Sequence, residues 1–176
     1  MNEVHIPLKV IFLDVDGVLC LNEYAVLEPP LLDNLALVVE STDAVVAVSS
    51  DWRLFPSKFT ELCRALRLRK IRVIGKTSSV NGDAARPQEI VGFVTSFHAK
   101  MKRQSKPYRI SRWVAVDDRD LPTEEGGEYM TSRRFVHTEM KTGLTFKVAM
   151  EMIGKLNRMS SGASKEEENE AKREEE

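Results

Sequence analysis

The sequence predicts a three-layer α/β sandwich in which helices cover both faces of a mainly parallel sheet of five strands. Short apolar runs rich in β-branched residues stop abruptly at polar residues or glycine, as strands buried on both faces do. Stretches with helical spacing of apolar residues lie between the runs. A regular alternation of strands and helices is typical of a parallel sheet, and this pattern predicts the fold class.

The first predicted strand is residues 9–16, KVIFLDVD, and its apolar part is followed by acidic residues. The other predicted strands are residues 44–48, 71–74, 113–116 and the weaker 134–137. The carboxyl ends of parallel strands lie at one edge of a sheet, where ligands of open α/β sheets bind. We therefore expect the polar residues after these strands to form the site.

The predicted helices are residues 31–39, 59–68, 88–97 and 146–156. Pro29 and Pro30 mark the beginning of the first helix, because proline fits the first helical turn. The loops at residues 75–87 and 119–133 contain many turn-forming residues, and we expect both to border the site.

The composition is that of an ordinary globular protein. The chain has 176 residues, of which 42% are hydrophobic and 30% charged, enough for a single domain with a buried core. The net charge of -1 does not by itself indicate a nucleic-acid partner. No apolar run approaches the ~20 residues of a membrane span, and no leader pattern is visible, so we expect a cytoplasmic protein that does not enter membranes.

The last residues of the chain differ from the rest. Residues 160–176 have no apolar periodicity and are rich in glutamate, which predicts a disordered acidic tail after a domain at residues 1–159. The two cysteines, Cys20 and Cys63, have neither a metal-ligand spacing nor the pattern of a disulfide framework. We expect both to be free thiols.

The strongest chemical signal is Asp14, Asp16 and Gly17 at the end of the first strand. Carboxylates are costly to desolvate, so the fold must compensate them with a metal ion or a hydrogen-bonding loop. Aspartates that only cap a turn are the alternative. Two further pairs argue against this alternative. A serine pair, Ser49 and Ser50, follows the second strand, and an acidic pair, Asp117 and Asp118, follows the fourth.

The spaced set resembles the haloacid dehalogenase (HAD) superfamily of phosphohydrolases, in which DxD follows the first strand, Ser or Thr the second, and an acidic pair a later one. The resemblance extends over residues 9–158. The segments IFLDVDGVL, AVSSDWR, IGKT, RPQEI, VAVDD and GLT are similar to the HAD domain family of Swiss Army Knife RNA repair proteins. The resemblance implies a HAD-like, Rossmann-like fold.

The resemblance also implies roles for the acidic residues. Asp14 would be the nucleophile that forms an aspartyl-phosphate, and Asp16 would be the general acid and base. The expected cofactor is Mg²⁺, which prefers oxygen ligands. Asp14, Asp117 and Asp118 would supply these ligands together with the backbone carbonyl of Asp16.

Other residues would bind phosphate. We expect Ser49 to do so in preference to Ser50, because Ser49 directly follows the strand. The superfamily places a lysine at a third motif, and in this chain either Lys76 or Arg86 could fill that position. An arginine there would make bidentate phosphate contacts where a lysine is a point charge. A solvated lysine and a structural arginine are the alternatives.

Trp52 and Arg53 follow the serines and form a possible substrate contact, with Arg53 on phosphate or a nucleotide. The alternative is a tryptophan packed in the core beside a surface arginine. Basic clusters at residues 64–72 and 100–112 could bind a nucleic-acid backbone, although a solvated face is the preferred interpretation.

The spacing leaves no room for a cap domain. Only twelve residues separate Asp16 from Pro29, and most of the 66 between Ser50 and Asp117 belong to predicted core elements. We therefore expect a capless phosphatase acting on a large or exposed phosphorylated substrate, such as a phosphoprotein or a nucleic-acid end. The alternative function is a non-catalytic module that binds phosphate or a partner. The sequence does not predict an oligomeric state.

Overall fold

The computed structural model describes residues 5–79 and 85–158. Five parallel strands form one sheet in the order β3-β2-β1-β4-β5. The strands are β1 (Ile6–Leu13), β2 (Val45–Val48), β3 (Val73–Lys76), β4 (Tyr108–Asp117) and β5 (Phe135–His137). The α-helices are α1 (Pro29–Thr42), α2 (Pro56–Leu68), α3 (Arg86–Arg103) and α4 (Phe146–Asn157).

The predicted fold class is confirmed, and each predicted strand overlaps an observed one. The largest difference is β4, which begins at Tyr108 and not at residue 113. Most of its first residues are exposed, and they pair with the exposed start of β1, where Ile6 faces Tyr108. Apolar runs find only strands buried on both faces, so this polar half of β4 gives no such signal.

The predicted regular alternation of strands and helices is wrong at one point, between β4 and β5. β4 and β5 are connected by the 3-10 turns Leu121–Thr123 and Gly127–Tyr129, with no α-helix between them. Pro122 lies in the first turn, and Gly126 adopts a φ of 79° just before the second. A Cβ on Gly127 would collide with the Pro122 carbonyl oxygen, so this compact connection requires glycine.

Two cores lie on opposite faces of the sheet, because successive strand residues point to opposite sides. Ile11 and Leu13 pack with residues of α1, α2 and α4 in one cluster. Val10 and Phe12 pack with residues of α3 and with Trp113 in the other. The helices therefore cover both faces and leave the carboxyl edge of the sheet to loops.

The cysteines and the helices bear on two further expectations. Cys20 and Cys63 are both free, as predicted. None of the helices within residues 5–79 and 85–158 is long and apolar enough to cross a membrane. The predicted acidic tail, residues 160–176, lies outside the described residues.

Candidate active site at the carboxyl edge of the sheet

The acidic residues after β1 and at the end of β4 meet because these strands are neighbours. Leu13 pairs with Val116, so the next residues, Asp14 and Asp117, lie side by side at the carboxyl edge of the sheet. The Asp14 backbone N–H donates to the Val116 carbonyl at 3.1 Å. One carboxylate oxygen from each of Asp14, Asp117 and Asp118 lies within 4.8 Å of the others. We call these three side chains the acidic triad.

Burial and mutual repulsion shift the acidity of the triad. Asp14 is 3% exposed and Asp117 is 1% exposed. Burial, and next the charge of Asp117, raise the pKa of Asp14 to about 7. The pKa of Asp118 is also raised, first by burial and then by Asp117. The triad therefore favours either protons or a cation close to its oxygens.

Arg86 supplies one cation to the triad. Its Nη1 lies 2.8 Å from Asp14 Oδ1 and 2.7 Å from Asp117 Oδ2, and its Nη2 lies 3.2 Å from Asp51 Oδ1. The side chain is buried at the first residue of α3, where Pro87 follows it. Burial alone would lower the pKa of Arg86. The charges of Asp14 and Asp117 together have the larger effect in the opposite direction, so the pKa is raised above its ordinary value.

Lys76, the other candidate for the third motif, is not brought to the triad. Its Nζ donates to the Arg53 carbonyl at 2.9 Å and lies 4.9 Å from the centre of the Phe59 ring. Lys76 ends β3, which is separated from β1 by β2, whereas α3 begins beside the triad. The geometry thus favours Arg86 over Lys76 for a contact with Asp14.

The two serines after β2 have different surroundings. The Ser50 hydroxyl interacts with Asp14 and lowers its pKa, and it also accepts from the Trp52 backbone N–H at 3.3 Å. The Ser49 backbone extends the strand pairing, since its N–H donates to the Leu13 carbonyl at 3.0 Å. Its own carbonyl accepts from Arg53. The structure therefore places the Ser50 hydroxyl beside Asp14, and the expectation that Ser49 binds phosphate stays a prediction.

The Asp16 carboxylate lies outside the triad. Both of its oxygens lie 3.1 Å from Trp52 Nε1, and the residue is exposed. Gly17 makes the turn possible with a φ of 69°, and a Cβ there would lie 2.5 Å from the Asp118 carboxyl group. The turn thus leaves Asp14 buried and Asp16 in contact with solvent.

Trp52 and Arg53 are both buried, with exposures of 1% and 4%. The alternative of a tryptophan packed in the core is confirmed, but its second part, an arginine on the surface, is wrong. The Arg53 guanidinium lies 2.6 Å from Glu89 Oε2 and donates to the carbonyls of Ser49 and Thr77 at 3.0 and 3.1 Å. Arg53 joins the ends of β2 and β3 to α3, so these contacts weaken the prediction that it binds substrate.

Sequence reasoning missed Glu89 and Asp51. Glu89 is 6% exposed and neutralises Arg53, while Asp51 Oδ1 lies 3.2 Å from both Arg53 Nη1 and Arg86 Nη2. The segments SSDWR and RPQEI contain both residues. Their charges gave no signal by themselves, because acidic residues near a helix start are usually solvated.

A cavity of about 600 Å³ opens beside Arg86. Its lining includes Asp51, Ser79, Arg119 and Glu124. Arg119 is paired with Glu124 at 2.7 Å, so much of the charge in this wall is already neutralised. The volume is within the usual range of small-molecule sites.

The family model for the HAD domain in Swiss Army Knife RNA repair proteins matches residues 10–149. The chain belongs to this family. Searches of curated proteins and of solved structures found no match. This HAD domain is capless, because its described residues between β1 and α1 and between β2 and β4 form only sandwich elements and loops.

The acidic triad of this HAD domain fits a divalent cation. All its side-chain donors are carboxylate oxygens, the ligand type that Mg²⁺ prefers. When ionised, the three carboxylates carry more negative charge than the Arg86 guanidinium can neutralise. Asp14, Asp117 and Asp118 are the residues that would hold the ion.

Proposed function

We propose that this HAD domain is a Mg²⁺-dependent phosphatase that acts through an aspartyl-phosphate on Asp14. The observation that supports it is the convergence of the acidic triad and Arg86, with Asp14 at the centre of both sets of contacts. Asp14 is buried and in contact with the Arg86 guanidinium, while Asp16, two residues later, is exposed. These different surroundings suit a nucleophile and an acid-base group.

In the first step an Asp14 carboxylate oxygen bonds to phosphorus, and the bond from phosphorus to the leaving oxygen breaks. Asp16 gives its proton to that leaving oxygen. In the second step Asp16 accepts a proton from a water whose oxygen bonds to phosphorus, and the bond from phosphorus to the Asp14 oxygen breaks. The products are inorganic phosphate, the dephosphorylated substrate and the original carboxyl groups.

Arg86 favours the ionised form of Asp14 through its 2.8 Å contact, which opposes the effect of burial. Ser50 also favours that form through its interaction with Asp14. When bound, Mg²⁺ would supply positive charge that offsets repulsion between the carboxylates and an anionic phosphoryl group.

The substrate class follows from the open site. A capless domain has no folded cap to exclude water from its cleft, so the substrate itself or a partner must cover the reacting groups. This favours a phosphoryl group on a large or exposed substrate, such as a phosphoprotein or a nucleic-acid end, over a small sugar phosphate. Such a macromolecular substrate is the partner that we propose.

A non-catalytic phosphate- or partner-binding module is the second candidate. The observation in its favour is that Arg86 bridges Asp14 and Asp117, and thereby neutralises part of the triad without a metal. In such a module Asp14 would serve only as a partner of Arg86.

The test is phosphate release with and without Mg²⁺ from an aryl phosphate, a phosphopeptide, and oligonucleotides phosphorylated at the 3′ or 5′ end. Asp14→Asn should abolish release. Asp43→Asn is the matched control, since Asp43 caps α1 in a left-handed conformation that asparagine tolerates. Equal rates for Asp14→Asn and the parent would reject the nucleophile, and phosphate binding without turnover in the parent would support the second candidate.

A further inference from the structure

The indole N–H of Trp52 donates to the carboxylate of Asp16. Its Nε1 lies 3.1 Å from each Asp16 carboxylate oxygen, although the two residues are 36 positions apart. Trp52 is 1% exposed whereas Asp16 is exposed, so a buried donor holds a solvent-facing carboxylate. A carboxylate has about four lone-pair positions, and this shared contact leaves positions on both oxygens for other groups.

Neighbouring groups hold the Trp52 backbone and contact its ring. The Trp52 backbone N–H donates to Ser50 Oγ at 3.3 Å, and its carbonyl accepts from the Phe55 N–H at 3.1 Å. Lys58 Nζ lies over the Trp52 ring, 5.1 Å from its centre. A cation over an aromatic face is attracted to its electrons, and this polarisation strengthens donation by the indole N–H.

The second tryptophan shows that a buried indole in this fold does not need such a partner. Trp113 is 4% exposed and packs edge-on against Phe12 at 5.5 Å. Its Nε1 has no hydrogen-bond partner among the described residues. Packing alone therefore does not explain why the Trp52 N–H faces a carboxylate.

We infer that Trp52 is a positioning residue that orients the Asp16 carboxyl group toward the leaving oxygen of the substrate, with Lys58 supporting the indole. The inference rests on the proposed phosphatase function. The role should matter most for phosphate monoesters of alcohols, whose poor leaving groups need a proton from Asp16. Aryl phosphates have good leaving groups and depend less on that proton.

The first test compares Trp52→Phe with Trp113→Phe, the same change at the tryptophan whose N–H has no partner within the described part of the chain. Trp52→Phe should lower kcat for a phosphoserine peptide by roughly tenfold or more, a fraction of the 10²–10⁴-fold effect of a general acid. For an aryl phosphate kcat should fall much less, with KM unchanged for both substrates. Trp113→Phe should not alter the ratio of the two rates.

Lys58→Met is a second variant in case Trp52→Phe does not fold. It keeps an unbranched side chain and removes the cation over the ring, so it should change the same ratio in the same direction by a smaller factor. A ratio in Trp52→Phe equal to that in Trp113→Phe would overturn the inference, as would an unchanged ratio in Lys58→Met if Trp52→Phe is unfolded.

The second test needs no turnover. The chain has two tryptophans, so in Trp113→Phe all tryptophan emission comes from Trp52. Adding Asp16→Ala should change the intensity or maximum of that emission, whereas adding Asp43→Asn should not. Unchanged emission after loss of Asp16 would overturn the contact. Absence of turnover in the parent would reject the phosphatase function and with it the positioning role, while an emission change would still establish the contact.

Discussion

A single nitrogen of Arg86, Nη1, is shared between Asp14 at 2.8 Å and Asp117 at 2.7 Å. The guanidinium thus bridges the carboxyl ends of β1 and β4, and its other terminal nitrogen lies 3.2 Å from Asp51. Because Asp14 and Asp117 are almost completely buried, this contact affects both the chemistry of the site and the stability of the fold.

Removal of the Arg86 charge should destabilise the metal-free protein. Arg86→Gln leaves two buried carboxylates without their cation, and breaking a buried pair in this way costs about 3–5 kcal/mol. Arg86→Lys should destabilise the protein less, because an ammonium group keeps the positive charge although it cannot make the contacts of both terminal guanidinium nitrogens. Urea unfolding in EDTA measures both, and added Mg²⁺ should recover part of the loss in Arg86→Gln.

Arg69→Gln is the control for this comparison. Arg69 pairs with Asp33 at 2.7 Å on the surface, where an ion pair contributes about 0–1 kcal/mol. If Arg86→Gln were no more destabilising than Arg69→Gln, the bridge would not stabilise the fold.

Mg²⁺ should raise the melting temperature of the parent. A ligand at 100 times its Kd stabilises the folded state by about 2.7 kcal/mol. Asp118→Asn removes the charge of one triad carboxylate and should reduce the shift, whereas Asp120→Asn, at an exposed residue outside the triad, should not. Identical shifts in the two variants, measured by thermal unfolding over a Mg²⁺ series, would argue against the triad as the binding site.

The sequence could predict the acidic triad because two of its members lie at the ends of neighbouring parallel strands. That inference needed only strand ends and chain order, both of which apolar runs reveal. It could not predict the Arg53 contacts, because Glu89 lies 36 residues away and nothing in the local sequence distinguishes a buried arginine from a solvated one. It also could not predict the Ser50 contact: the backbone N–H groups of Ser49 and Ser50 both donate to the Leu13 carbonyl, and only the folded chain shows that the Ser50 hydroxyl interacts with Asp14.

The stability of the metal-free protein should fall as the pH rises from about 4 to about 7. The pKa of Asp14 is raised from 3.8 to about 7 in the folded state, so the folded protein keeps a proton that the unfolded chain loses. Between the two pKa values the unfolded chain binds fewer protons than the folded protein, so the free energy of unfolding falls as the pH rises, and the loss ends near the folded pKa.

The raised pKa of Asp118 acts in the same direction. Asp14→Asn cannot titrate, so its free energy of unfolding should vary less over this range than that of the parent. Urea unfolding in EDTA at successive pH values measures the slopes, and Asp43→Asn should keep the parental slope. A slope in Asp14→Asn as steep as in the parent would contradict the assignment of this proton to Asp14.

Gly17→Ala should disrupt the triad and destabilise the protein. The φ of 69° is strained for alanine by about 1–2 kcal/mol, and the added Cβ would lie 2.5 Å from the Asp118 carboxyl carbon. Asp118 must therefore move, so the Mg²⁺-induced shift in melting temperature should shrink as well.

Gly92→Ala is the matched control, because Gly92 lies within α3 and a Cβ added there would have no neighbouring atom within 4 Å. Alanine is favoured over glycine in a helix interior by roughly 0.5–1 kcal/mol, so this variant should be neutral or more stable and keep the full Mg²⁺ response. If both variants kept that response, the close approach of Gly17 to Asp118 would have no bearing on cation binding. Loss of the response in Gly17→Ala alone would instead tie the turn after β1 directly to the metal-binding carboxylate after β4.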